Sequence, residues 1–179
     1  MVEFAPDRIV GRRLILRLPV ADDDKALFAR VAGDPEVTRY LLWAPHHDVA
    51  ATRRVLTEVT NVNPNAKTWA ITLRHNNEII GLISCRREAR HAVEVGYCMG
   101  QQWWGRGYMS ETLSMLVGSL AADSGLYRVW ATCSVDNARS ARLLERAGFG
   151  QEGRLARHAV YPGLGSEPRD SLLYAKILR

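Results

Sequence analysis

The sequence predicts a mixed α/β fold in one domain covering residues 1–179, and three observations predict it. Some stretches place large apolar residues at every second position, as at Trp69, Ile71 and Leu73, which is the period of a strand. Others place them at helical spacing, as at Met109, Leu113, Leu116, Val117 and Leu120. No linker, low-complexity tract or internal repeat divides the 179 residues, which are enough to bury most of their apolar surface without disulfide or metal support.

The elements follow in order. Arg12 to Val20 alternates as a half-buried strand and ends at Pro19. Asp22, Asp23 and Asp24 charge the first turn of a helix carrying Ala26, Leu27 and Val31, which stops near Gly33-Asp34-Pro35. A second helix starts at Asp48 and buries Val55, Leu56 and Val59. Thr68 to Cys85 reads as a β-hairpin with Asn76-Asn77 in a two-residue primed turn, because asparagine tolerates positive φ. His91 to Met99 is a further strand that runs into the glycine-rich stretch Gly100 to Leu113. The helix beyond it ends by Gly125, and Arg128 to Val135 is a strand. Asp136-Asn137 caps a short helix bearing Leu143, Leu144 and Ala147 that Gly148 stops. Phe149–Leu155 and Asp170–Leu178 close the chain as strands around a loop containing Tyr161 to Gly165. This gives seven strands and four helices.

Composition narrows the function. The content is 47% hydrophobic and 24% charged, and no apolar run approaches the roughly 18 residues of a membrane span. The N-terminus interrupts every apolar patch with charge and lacks a secretory cleavage site, so a cytoplasmic, non-membrane protein is expected. Cys85, Cys98 and Cys133 are odd in number and contain no CxxC pair, and the five histidines show no ligand spacing; core thiols and no metal are expected. A net charge of +5 favours an anionic partner: nucleic acid, a phosphorylated cofactor or an acidic substrate. The arginines are scattered rather than gathered into a polybasic run, and direct nucleic-acid binding is not expected.

The stretch GQQWWGRGYMSETL lacks the lysine of a nucleotide-hydrolysing phosphate loop, and Ser110 stands where a dinucleotide fingerprint needs its third glycine. What remains is Gln102-x-x-Gly105-x-Gly107 between a strand and an amphipathic helix. A helix N-terminus leaves about four N–H groups unpaired and carries partial positive charge, and glycines let an anion reach those donors. An anion site and a plain strand-to-helix turn both satisfy the loop by itself.

With its neighbours, the loop resembles the GNAT superfamily of acetyl-CoA-dependent N-acetyltransferases, whose [Q/R]xxGx[G/A] motif is matched by Gln102, Gly105 and Gly107. VEVGYCM before the loop, WWGRGYMSETL through it and VDNARSARLLERAGF after the next strand resemble the RimJ/RimL-type, ribosomal-protein N-terminal acetyltransferase branch. So do RLILR, YLLWAPHHD and DSLLYAKIL, and the resemblance covers nearly the whole chain. It implies a central, mixed, mostly antiparallel twisted sheet of about seven strands flanked by about four helices. It implies acetyl-CoA as co-substrate, with the backbone of Tyr97, Cys98 and Met99 along the pantetheine arm and acetyl carbonyl. Gln102, Gly105, Arg106, Gly107, Tyr108 and Met109 would cradle the pyrophosphate. Asn137 would bond the arm, although a simple N-cap explains it as well.

The implied reaction is attack of a neutral amine on the thioester. Glu94, on the strand face of Gly96 and Cys98, is the candidate base, and pairing with an arginine is its competing reading. His158 and Tyr161 are fallbacks. Leu144 stands where many members carry a tyrosine acid, and Ser140 matches the serine that the RimL-type branch offers instead. Glu111 reads as structural, while Arg139 and Arg142 join Arg106 as phosphate candidates. Trp103 and Trp104 are expected to pack beneath the loop or against the acceptor cleft. The acceptor is expected beside Leu42, Trp43, His46 and His47. Three readings stay open: an acetyltransferase for protein N-terminal α-amines, one for small amines such as aminoglycosides, polyamines or amino-acid derivatives, and a non-catalytic acetyl-CoA-binding module. A homodimer is compatible with the chain.

Overall fold

The computed structural model describes residues 5–179. The order is β1 (Arg8–Val10), β2 (Leu14–Arg17), α1 (Asp24–Leu27), α2 (Pro35–Thr38), α3 (Val49–Arg54), β3 (Ala66–Leu73), β4 (Ile79–Ala89) and β5 (Ala92–Met99). Then come α4 (Tyr108–Leu120), β6 (Arg128–Ser134), α5 (Ala138–Arg146), β7 (Gly150–Val160) and β8 (Pro168–Ile177). All eight strands form one sheet in the order β1-β2-β3-β4-β5-β6-β8-β7, antiparallel throughout except where β5 meets β6. The mixed, mostly antiparallel α/β architecture is as the sequence implied, with one more strand and one more helix. The added strand, β1, has three residues, too few to show a period.

The added helix comes from the stop at Gly33-Asp34-Pro35. Asp34 begins a new helix there, its Oδ1 accepting the N–H of Glu36 at 2.9 Å, with Pro35 as the first helical residue. The helix expected from Asp48 begins there, since Asp48 Oδ1 accepts the Ala51 N–H at 2.6 Å. It then widens into a π-helical turn over Val55–Val59, which rotates Val59 away from the protein; Val59 is 66% exposed rather than buried.

The hairpin also differs in detail. Leu73 and Glu78 close a four-residue loop in which the Asn77 N–H donates to Leu73 O, and only Asn77 has positive φ (58°). A two-residue primed turn of type I′ would need both asparagines left-handed. Asn76 instead accepts the Glu78 N–H through its side chain. Asn77→Ala is therefore expected to cost about 1 kcal/mol, and Asn77→Gly to be near neutral. Denaturant midpoints of the two variants check this.

Helices cover the sheet on both faces. Val93, Val95 and Met99 of β5 point into the main core with Leu113, Leu116 and Leu120 of α4 and Leu144 of α5. The opposite face packs Ala70 and Ile79 against Leu27, Val31 and Val37, with Leu82 and Cys98 at the margin. Because β3 is covered on both sides, its residues from Trp69 to Leu73 are all buried, not only the alternating set Trp69, Ile71 and Leu73.

The connection that positions the site is the parallel one. β5 pairs with β6 only from Ala92 to Glu94, opposite Arg128 to Trp130. β5 continues along β4 as far as Met99, while β6 continues along β8 as far as Ser134. The two strands therefore part beyond Glu94, and a split opens in the middle of the sheet with the α4 N-terminus beside it.

Candidate active site

Main-chain direction decides what faces the split. The Gly100 N–H donates to Ile80 O at 2.9 Å, so in the antiparallel ladder Cys98 and Gly96 also turn their main-chain groups toward β4. Val95, Tyr97 and Met99 turn theirs toward the split. The Met99 carbonyl is taken by the Trp104 indole N–H at 2.6 Å, which leaves the Tyr97 and Met99 N–H groups as the donors aimed there. The expectation that Cys98 also offers its backbone is corrected by this alternation. Cys98 contributes its side chain, and burial pushes that thiol up to about 12, so it is protonated and inert at neutral pH.

The α4 N-terminus supplies the second set of donors. Gly107 sits at the N-cap with φ 75° and brings no side-chain cap, and the first N–H with an intrahelical acceptor is that of Glu111, to Gly107 O. The N–H groups of Tyr108, Met109 and Ser110 precede it and are left for a ligand. Arg13 fixes the loop from behind. Its backbone N–H and Nε donate to the two Glu111 carboxylate oxygens at 2.8 and 2.6 Å, its Nη1 donates to Arg106 O at 3.0 Å, and its guanidinium covers the Tyr108 ring.

An open cavity of about 840 Å³ joins the split to this helix terminus. Tyr97, Cys98, Met99, Gly105, Gly107, Tyr108, Met109, Asn137 and Ser140 all line it. Gln102, Arg106 and Glu94 do not. Gln102 is exposed, and Arg106 offers its carbonyl to Arg13. Asn137 caps α5, its Oδ1 accepting the Ser140 N–H at 3.1 Å, which holds Ser140 in the first turn of that helix on the cavity wall. Arg139, Arg142 and Arg146 of α5 line the same wall, and Arg139 stacks on the Trp104 ring at 4.4 Å. A cavity edged on one wall by the three α5 arginines and an uncapped helix N-terminus suits a ligand carrying several phosphate charges.

Both tryptophans now have partners. Trp103 is buried, folded back over Gly100 and covered by Arg30, and Trp104 joins β5 to α5. The opposite wall is Glu36 to Leu41, slightly earlier than expected. Trp43 and His46 pack on each other at 5.3 Å, and Leu42 is 65% exposed. Arg39 belongs to this wall, and from behind Gly163 meets its backbone so closely that an added Cβ would lie 2.7 Å from Arg39 Cα.

Glu94 is the last β5 residue paired with β6, at the fork of the split, and it accepts a hydrogen bond from Arg86 at 2.7 Å. Its position and its arginine partner coexist. Tyr161 is buried with its hydroxyl on Ser171 at 2.6 Å, and neither it nor His158 lines the cavity. Among the described residues no cluster of three or more His, Cys, Asp or Glu could hold a metal, and no helix is long and apolar enough to cross a membrane.

Comparison with known proteins points to one family. A family model described as an acetyltransferase (GNAT) domain matches residues 13–150. The uncharacterized N-acetyltransferase YoaA of Bacillus subtilis is 30% identical over 167 residues, 91% of this chain and 92% of its own. The ribosomal protein uS5-alanine N-acetyltransferase of Escherichia coli is 34% identical over 101 residues, 55% of this chain and 50% of its own. A solved structure of RimL, a ribosomal L7/L12 α-N-protein acetyltransferase in complex with coenzyme A, superposes with a TM-score of 0.81 at 25% identity, covering 95% of this chain and 97% of that one. The family match over most of the chain and a fold shared with a structure that holds coenzyme A agree: the chain belongs to the GNAT family of N-acetyltransferases, with acetyl-CoA as its co-substrate.

Proposed function

We propose that the chain acetylates an α-amine at a protein N-terminus. The observation that carries this reading is how weakly the site is equipped to deprotonate an amine. Among the described residues the carboxylates lining the cavity are Glu36 and Asp136, both more than half exposed and both facing arginines, Arg39 at 3.5 Å and Arg169 at 3.7 Å. Glu94, at the fork, is held by Arg86, and at about 3.3 Å per residue it lies roughly 13 Å along the strand from Cys98. It reaches an acceptor nitrogen only through water. At pH 7, freeing an α-amine of pKa about 7.7 to 8.0 costs about 1 kcal/mol, against about 4.6 kcal/mol for a lysine amine. A remote, water-relayed carboxylate suffices for the first and is poorly matched to the second. The relatives that act on uS5 alanine and on L7/L12 support the same acceptor class.

Acetyl-CoA brings the thioester that the amine attacks. The protein's own contributions are the Tyr97 and Met99 N–H groups for the developing oxyanion, the α4 N-terminus with Arg139, Arg142 and Arg146 for the phosphates, and Glu94 for the proton.

Thiol release from acetyl-CoA, measured with peptides bearing free N-termini beside polyamines, aminoglycosides and amino-acid derivatives, tests the reading. Turnover is expected on peptides, and it should vanish when their α-amine is blocked and their lysines are left free. Turnover confined to small amines would replace this reading with the small-molecule one, and none at all would leave a binding module. With the active peptide, Glu94→Gln is expected to lower kcat about 3- to 10-fold at neutral pH, with the KM for acetyl-CoA unchanged. An unchanged pH–rate profile and kcat would remove Glu94 from the mechanism.

A further inference from the structure

Ser140 does not meet the cavity alone. The Tyr97 hydroxyl lies 2.8 Å from Ser140 Oγ, and the same serine favours the thiolate form of its neighbour Cys133. A serine hydroxyl has one proton to give and two lone pairs, so the direction of its proton is set by what its neighbours donate. A phenol is more acidic than an aliphatic alcohol, which makes Tyr97 the donor and Ser140 the acceptor in the first contact. The serine proton is then left for another acceptor. In the free protein the neighbouring Cys133 sulfur is a weak one. Burial raises the Tyr97 phenol, and burial raises the Cys133 thiol to about 11, so both stay protonated at neutral pH and neither competes as an anion for the serine proton.

We propose that Tyr97 is a positioning residue that fixes Ser140 as a hydrogen-bond donor to the sulfur of coenzyme A, so that the pair stabilises the departing thiolate. This rests on the assignment of coenzyme A to the cavity that Tyr97 and Ser140 line. In the step it serves, the carbon–sulfur bond breaks, its electron pair leaves on sulfur, and the proton released by the acceptor nitrogen balances the charge. The Tyr97 phenol touches no reacting atom and acts through Ser140, separately from the backbone N–H of the same residue. The N-cap bond from Asn137 to the Ser140 N–H fixes the serine backbone, and the phenol fixes its hydroxyl.

Calorimetric titration with coenzyme A and with desulfo-coenzyme A, which lacks the thiol, tests this without any acceptor. Between about pH 6 and pH 9, across the ordinary thiol pKa of about 8.5, the wild-type affinity for coenzyme A is expected to gain about tenfold over that for the desulfo compound as the thiolate forms. Tyr97→Phe should lose most of that gain and Ser140→Ala all of it. Ser140→Thr, which keeps a hydroxyl, should retain it. The double variant Tyr97→Phe/Ser140→Ala should match Ser140→Ala, since Tyr97 has no other route to the sulfur. A Tyr97→Phe protein with the wild-type pH dependence overturns the proposal, and so does one that weakens both ligands equally, which marks a packing role. Absence of the gain in the wild type also overturns it while leaving the cofactor assignment intact. Failure of the wild type to bind either compound overturns the cofactor assignment itself and the proposal with it.

Discussion

Gly107→Val is expected to weaken coenzyme A binding about 100-fold. Gly107 holds φ 75° at the α4 N-cap, a region that costs an L-residue about 1–2 kcal/mol and that β-branched residues scarcely visit. An added Cβ would already lie 3.5 Å from Arg13 Nη2, so the second branch of valine presses on the guanidinium that holds the loop. The loop must then either abandon its left-handed residue or displace Arg13. Both routes turn the Tyr108, Met109 and Ser110 N–H groups away from the phosphates. Losing about two hydrogen bonds to a charged ligand, each worth roughly 1.5–3 kcal/mol, accounts for the factor. Gly105 supplies the internal control: its φ is 74°, but nothing lies within 4 Å of an added Cβ. Gly105→Ala should show the conformational cost alone, about tenfold or less in affinity. Calorimetry with coenzyme A ranks the two, and a Gly107→Val protein of undiminished affinity would exclude the loop as the phosphate cradle.

The glycine loop and the Asn137 cap can be picked out in the sequence because their geometry is local, whereas Ser140 stands out only through the family resemblance. A positive φ ahead of an amphipathic helix, and a cap three residues from the group it positions, are written within a few consecutive residues. Tyr97 and Met99 likewise come from the family resemblance, and the split they face is visible only in the strand pairing. What escaped was set by register and long-range pairing. Glu94 faces Arg86 because β4 and β5 pair in one particular register, and moving that register by one residue would leave the same carboxylate without its arginine. Cys98 lost its backbone role for the same reason: alternation along β5 is fixed only once Gly100 is seen to bond Ile80. The Val59 and Asn76-Asn77 expectations failed on single-residue changes of backbone geometry, a π turn and a longer loop, that neither hydrophobic period nor turn composition encodes.

The brace that holds the loop is the hardest part to read from sequence, because Arg13 and Glu111 are 98 residues apart, and it yields the second large effect. Glu111 is 16% exposed, and its two oxygens accept the Arg13 N–H and Nε. Burial pushes the Glu111 carboxyl up, but the Arg13 N–H and guanidinium outweigh it and hold the group below the ordinary carboxylate range. Glu111→Ala leaves a backbone N–H without its partner and removes an ion pair that solvent partly screens, since Arg13 is 35% exposed. A loss of about 2 kcal/mol in unfolding free energy is expected at pH 7. The sign of the pH dependence follows from the lowered folded pKa: the carboxylate's contribution is fully present above the unfolded value of about 4.3 and is lost as pH falls through the folded one. The gap between wild type and Glu111→Ala should therefore narrow as the pH falls below the ordinary carboxylate range and through the lowered folded value, where the wild-type carboxyl takes up its proton. Glu111→Gln, which keeps an acceptor for the Arg13 N–H, should lose about half as much. Because Arg13 also holds the Arg106 carbonyl, Glu111→Ala should weaken coenzyme A binding about 3- to 10-fold through the loop, whereas a variant that only destabilised the fold would bind normally at temperatures where it remains folded. Urea unfolding from pH 7 down through the acid range, run beside calorimetry at neutral pH, separates the two; a gap that never narrows as the pH falls would show that the ion pair is not what holds the loop.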